Sequence, residues 1–122
     1  MPKVSLSIVL DKLSEETREK VLEELACSIS QDIKVEIAKY DKTSPRILSI
    51  LREDESGWVR QEVAYNPNTL DEDLDKLSKD KNKYVSYWAT INLLKRKENK
   101  WRRLTYERII SWTEDYNYDA SI

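Results

Sequence analysis

Few residues of this chain are equipped for covalent chemistry. There is no histidine, the side chain that most often moves a proton near neutral pH. No Ser–His or Cys–His pair, glycine-rich phosphate loop or metal-ligand cluster can be assembled from the spacing. The single cysteine, Cys27, excludes an internal disulfide framework. Within LEELACSI it reads as a small core thiol with no activating base or cation beside it. The expectation is a protein that is not an enzyme and carries no cofactor or metal.

What remains is contact chemistry. Trp58, Tyr65, Tyr84, Tyr87 and Trp88 gather in the middle of the chain. Tyr and Trp are the preferred anchors of protein interfaces. Arg60 suits either an acidic partner or a structural ion pair with Asp54 or Asp80. The run Lys95, Arg96, Lys97, Lys100, Arg102 and Arg103 encloses Trp101 and only one acid, Glu98. Such a run can bind phosphates, although a solvated turn at a helix junction reads more simply. Asp71, Glu72, Asp73 and Asp75 form an acidic counterpart, and acids in a first helical turn suit the helix dipole.

Composition says what must position these groups. Charged residues make up 36% of 122, against roughly 25% in average domains. One glycine is too few for a sheet rich in tight hairpins. The formal net charge of −2 gives no global attraction to nucleic acid or an anionic membrane. No apolar run approaches the ~18 residues of a membrane span, and no signal peptide is apparent. One cytoplasmic domain is expected.

The positioning elements recur. Ser30, Ser56 and Asn82 stand 26 residues apart, each a good helix N-cap. Ile33, Val59 and Val85 match at that spacing, as do Ile37, Val63 and Ala89, on one helix face. In the second halves Leu22, Leu48 and Leu74 align, as do Leu25, Leu51 and Leu77. Asn66-Pro67-Asn68-Thr69 is read as a stop, a turn and a start: the residue before proline leaves the α region, and Thr69 with Glu72 fits a capping box. The first unit instead moves Pro45 into the first turn of the next helix.

The copies disagree where contact chemistry is richest. Tyr65 stands where another unit has Lys39. Tyr87 stands where others have Val35 and Gln61, and Trp88 where others have Glu36 and Glu62. Two readings fit these three: anchors for a partner, or packing against a C-terminal helix. Trp58 and Tyr84 occupy equivalent positions and are expected to pack between units.

The pattern Val59, Arg60, Val63, Ala64, Asn66, Pro67 and Thr69, then Leu74, Leu77 and Asp80, resembles the variant leucine-rich repeat family. The resemblance covers about residues 28–94. It implies an all-α fold, a short right-handed α-solenoid of the ARM/HEAT kind, built from repeats of about 26 residues. Residues 1–27 would then be a degenerate capping unit, with 1–13 more helix than strand. Residues 95–115 would form a C-terminal capping helix from about Asn99 to Trp112, on which Trp101 and Leu104 continue the Leu74 and Leu77 stripe. Residues 116–122 would be a tail.

The resemblance brings no common catalytic residues, and Cys27 alone cannot supply the thiolates of an iron–sulfur cluster. It implies a scaffold that binds a protein across its repeats, with Tyr65, Tyr87, Trp88 and Arg60 as candidate contacts. The alternatives are nucleic-acid binding through Lys95–Arg103 and a structural, self-assembling protein; the expected state is a monomer or a weak homo-oligomer joined through the C-terminal end.

Overall fold

The computed structural model describes the backbone of residues 5–120 and the side chains of residues 5–111. Among these the protein is all-α. The helices are α1 Leu6–Asp11, α2 Glu15–Ala26, α3 Gln31–Lys39, α4 Pro45–Leu51, α5 Gly57–Tyr65, α6 Asp71–Leu77 and α7 Lys83–Ala120. The chain divides between Asn92 and Leu93 into two compact units, and α7 runs through that division.

Short polar segments start the helices. The Ser14, Ser30 and Ser44 hydroxyls accept from the Thr17, Ile33 and Ile47 N–H groups. Asn82 Oδ1 accepts from the Tyr84 and Val85 N–H groups ahead of α7. Each cap satisfies donors that a helix end otherwise leaves to water. Pro45 begins α4, where its missing N–H costs nothing. The alternating Leu6, Ile8 and Leu10 belong to helix α1; Val4 lies outside the described residues.

In the first unit, α2 packs on α3 and α4, α3 on α4 and α5, and α5 on α4 and α6. The aligned apolar positions form the core: Leu22, Ile37, Leu48, Leu51, Val59, Val63, Leu74, Val85 and Ala89 are all essentially solvent-free. Burial at that scale stabilises each large side chain by about 1.5–3 kcal/mol.

The 26-residue period reappears as hydrogen bonds. Asn66 Nδ2 donates to the carbonyls of Ala38 at 2.8 Å and Tyr40 at 3.1 Å. One period on, Asn92 Nδ2 donates to the carbonyls of Ala64 and Asn66. Thr43 Oγ1 donates to the Ile37 carbonyl, and Thr69 Oγ1 repeats this to Val63. Lys34 pairs with Asp54 as Arg60 pairs with Asp80. Position 34 therefore keeps the same rung with lysine in place of arginine.

Several expectations need correction. Thr69 is not the N-cap of α6: its hydroxyl closes the end of α5, and Leu70 holds the cap position without a side-chain bond. Cys27 is exposed, because α2 ends at Ala26 and Cys27 follows as its C-cap, beyond the buried Leu22–Ala26 stripe.

The separate helix expected from about Asn99 is instead part of α7, which extends without a junction at 95–103 and continues to Ala120 past the expected tail boundary. The reason lies in the third copy. Asn92 matches Asn66, but Leu93, Leu94 and Lys95 replace Pro67, Asn68 and Thr69, so nothing stops the helix. Trp101 and Leu104 lie on α7 and are exposed. Every side chain from Lys97 to Ser111 is exposed, Trp101 by 71%. Among the described residues no helix is long and apolar enough to cross a membrane.

Asn66 is 2% exposed and holds two carbonyls of the preceding unit. Asn66→Ala leaves them without this donor, and we expect a loss of about 2–3 kcal/mol in urea unfolding. Asn92→Ala, made in the less buried copy of the same bond, should cost less.

Candidate functional site

Three helices present one face side by side in the first unit. On α5 the buried Val59 and Val63 define the inner side. Trp58, Gln61, Glu62 and Tyr65, spaced i, i+3, i+4 and i+7, lie opposite. The same spacing puts Tyr84, Tyr87, Trp88 and Ile91 on the outer side of α7, and Asp32, Val35, Glu36 and Lys39 on that of α3. The face thus changes from charged on α3 to aromatic on α5 and α7.

Trp58 and Tyr84 are 63% and 70% exposed. They do not pack between units as expected. Each precedes the buried valine, Val59 or Val85, by one residue, and that 100° step carries it to the outer face. Tyr65 and Tyr87 are also exposed, while Trp88 is half-buried. The Trp88 ring stands nearly perpendicular to both tyrosines, with centroids 5.1 Å from Tyr65 and 5.3 Å from Tyr87. Edge-to-face pairs at this distance add roughly 0.5–1.5 kcal/mol beyond area burial. Trp88 thus joins two exposed tyrosines into one aromatic surface across α5 and α7.

A cleft of about 470 Å³ opens at the N-terminal ends of α5 and α7, lined by Gly57, Trp58, Gln61, Asn82 and Tyr84. The chain's one glycine permits it. A Cβ on Gly57 would come 2.6 Å from Asn82 Nδ2, the side chain that caps α7.

Glu62 lies between the charged and aromatic parts. It is half-buried and, among the described residues, its carboxylate makes no hydrogen bond or ion pair. Burial raises its pKa above the ordinary 4.5, with Lys39 on α3 partly opposing.

Arg60 is placed differently. Its guanidinium is mostly buried, pairs with Asp80 at 2.8 Å and also donates to the Asp54 and Glu55 carbonyls. Burial alone would push the Asp80 carboxyl up, but Arg60 and the Asn82 N–H outweigh it and hold the pKa below 3.8. This is the structural ion pair weighed from sequence.

The acids at the start of α6 do not act together. Asp73 is 2% exposed and bound by Ser49 of α4 and by Arg52, the C-cap of that helix, whereas Asp71, Glu72 and Asp75 face solvent. Breaking such a buried pair from one side typically costs about 3–5 kcal/mol. The first-turn pattern concealed that pairing. Tyr40 was also missed: it is buried and donates to Asp11 at 2.6 Å, and burial with that bond raises its pKa to about 12.

In the second unit Lys95, Lys97, Lys100, Arg102 and Arg103 are exposed and Arg96 is half-buried. Arg96, Lys100 and Arg103, spaced i, i+4 and i+7, share one side of the helix, and Arg102 and Arg103 bond Glu98 and Glu107. Among the described residues no group of His, Cys, Asp and Glu could hold a metal ion. Compared with protein families, curated proteins and solved structures, the chain matches none.

The Glu62 geometry has a pH signature. A carboxylate with a raised pKa contributes full stability below its ordinary 4.5 and loses it as pH rises through the raised value. Glu62→Gln should therefore raise the urea midpoint at neutral pH, and the gain should vanish at about pH 3.5, where both proteins are neutral at this site.

Proposed function

We propose that this chain is a short α-solenoid of the variant leucine-rich-repeat kind, and that it works as a non-enzymatic interaction module. Its outer α3–α5–α7 face receives a partner protein. The observation that carries the reading is the aromatic surface on that face, in which Trp58, Tyr65, Tyr84 and Tyr87 remain exposed. The packing of the first unit does not require them there. The same helices bury Val59, Val63, Val85 and Ala89 on the other side. Exposed Tyr and Trp grouped on a rigid element are what interfaces use as anchors. The repeated Asn, Thr and Lys/Arg–Asp bonds support the repeat assignment, because each joins equivalent positions of successive units.

Rigidity supports the reading too. The face stands on helices whose ends are tied by buried side-chain bonds, so few side chains need ordering when a partner arrives. Nucleic-acid binding through Lys95–Arg103 has less support, because Arg102 and Arg103 are already paired with Glu98 and Glu107.

A pull-down from the native source, comparing the wild type with Tyr87→Ala and Trp88→Ala, tests this. An interface anchor is worth at least about 2 kcal/mol, or roughly thirtyfold in affinity. We expect a partner recovered by the wild type to be lost from both variants, with helical circular dichroism retained. Unchanged recovery removes the aromatic face as the binding surface.

A further inference from the structure

The second unit contains a length of helix with little to support it. From Lys97 to Ser111 every side chain of α7 is exposed, and Trp101, Leu104, Tyr106, Ile109 and Ile110 are among them. A helix in a protein draws most of its stability from packing one face. Trp, Thr, Tyr and Ile are only middling helix formers. The i, i+4 ion pairs Glu98–Arg102 and Arg103–Glu107 add little.

The spacing of one exposed side is symmetric. Glu98, Trp101, Thr105, Ile109 and Trp112 follow one another along it in steps of three, four, four and three. Leu94 and Tyr116 stand four residues further out at either end. The line therefore reads the same in both directions about Thr105. Two hollows flank it. Trp101, Leu104, Thr105, Arg108 and Ile109 line one, and Glu98, Arg102 and Tyr106 join Trp101, Thr105 and Ile109 around the other. Trp101, Leu104, Thr105 and Arg108 are spaced i, i+3, i+4 and i+7, and so are Glu98, Trp101, Arg102 and Thr105. Four residues so spaced form a hole that takes one side chain from a facing helix.

Charge chooses the occupant. Residues 95–103 have six cations and one acid, Glu98. Residues 107–119 have Glu107, Glu114, Asp115 and Asp119 and one cation, Arg108. A second copy running parallel would set cations beside cations. A copy running the opposite way sets each basic segment beside an acidic one, and the symmetric spacing keeps the two faces in register. We propose that α7 pairs with α7 of a second copy of this chain, antiparallel, about a two-fold axis at Thr105. Such an axis makes every contact twice. Trp101 then lies level with Ile109 of the partner subunit, and the small Thr105 sits where the helices approach. The pairing uses the second unit alone, so it stands or falls separately from the outer-face reading.

Sedimentation velocity of the whole chain, up to high micromolar concentration, should show a monomer–dimer equilibrium. Trp101→Ala should weaken the dimer at least roughly thirtyfold. Thr105→Arg brings two cations together at the axis and should leave a monomer. Both side chains are exposed within the protomer, so neither change disturbs the core. Direction is read by crosslinking in a Cys27→Ser background, which removes the chain's one thiol. A short bismaleimide should join Thr105→Cys chains but not Leu94→Cys chains, whose thiols the antiparallel register holds about 33 Å apart. A monomer at every concentration overturns the inference. So does a dimer that crosslinks at position 94 and not at 105, or one that neither Trp101→Ala nor Thr105→Arg weakens.

Discussion

The arrangement depends on an amide that reaches back one repeat. Asn66 ends α5, and its side chain donates to the carbonyls of Ala38 and Tyr40 where α3 ends, the second of which also accepts from the Thr43 N–H. Such carbonyls are obligatory acceptors, and leaving them buried without a donor is costly. Each unit therefore depends on its successor to close it. Asn92 performs the same task for the end of α5. The bond fixes the separation and register of α3, α5 and the start of α7, and so aligns their outer faces. The aromatic surface follows from that alignment: Tyr65 and Trp88 come from helices one period apart and meet at 5.1 Å.

Much of this was legible from the sequence because the constraint is periodic. Most of the aligned Ile, Val and Leu positions are buried, Leu25 and Ile33 only partly; Ser30 and Asn82 cap through their side chains as expected, whereas Ser56 holds the cap position of α5 without a side-chain bond. The misreadings share a cause: a local pattern admits more than one partner. Thr69 fits a capping box, yet its hydroxyl turns back to Val63 because the end of α5 also needs a donor. Asp73 resembles its solvated neighbours, and only the approach of α4 brings Arg52 to it. Lys34 differs from Arg60 in type, yet its ammonium at 2.6 Å from Asp54 supplies the same rung. The length of α7 was open to deduction, since Leu93 occupies the place of Pro67, but the recurring leucine stripe argued the other way.

The candidate site was legible in part. Tyr65, Tyr87 and Trp88 stood out because the copies disagree there. Glu62 did not, since a glutamate also stands at position 36, and only burial separates the two: Glu36 is exposed and Glu62 half-buried. Trp58 and Tyr84 were misplaced because bulky aromatics suggest a core. The helical step from Val59 and Val85 turns them outward. The face and the core are therefore two readings of the same three helices, offset by a residue.

The central claim is that this outer face is where a partner binds. The most direct measurement places a photo-reactive phenylalanine at position 87, and separately at Ile50, an exposed position on α4, and irradiates the protein in its native cell. The account predicts a discrete crosslinked adduct from position 87 and none from position 50. An adduct from position 50 alone, or from neither, would contradict it.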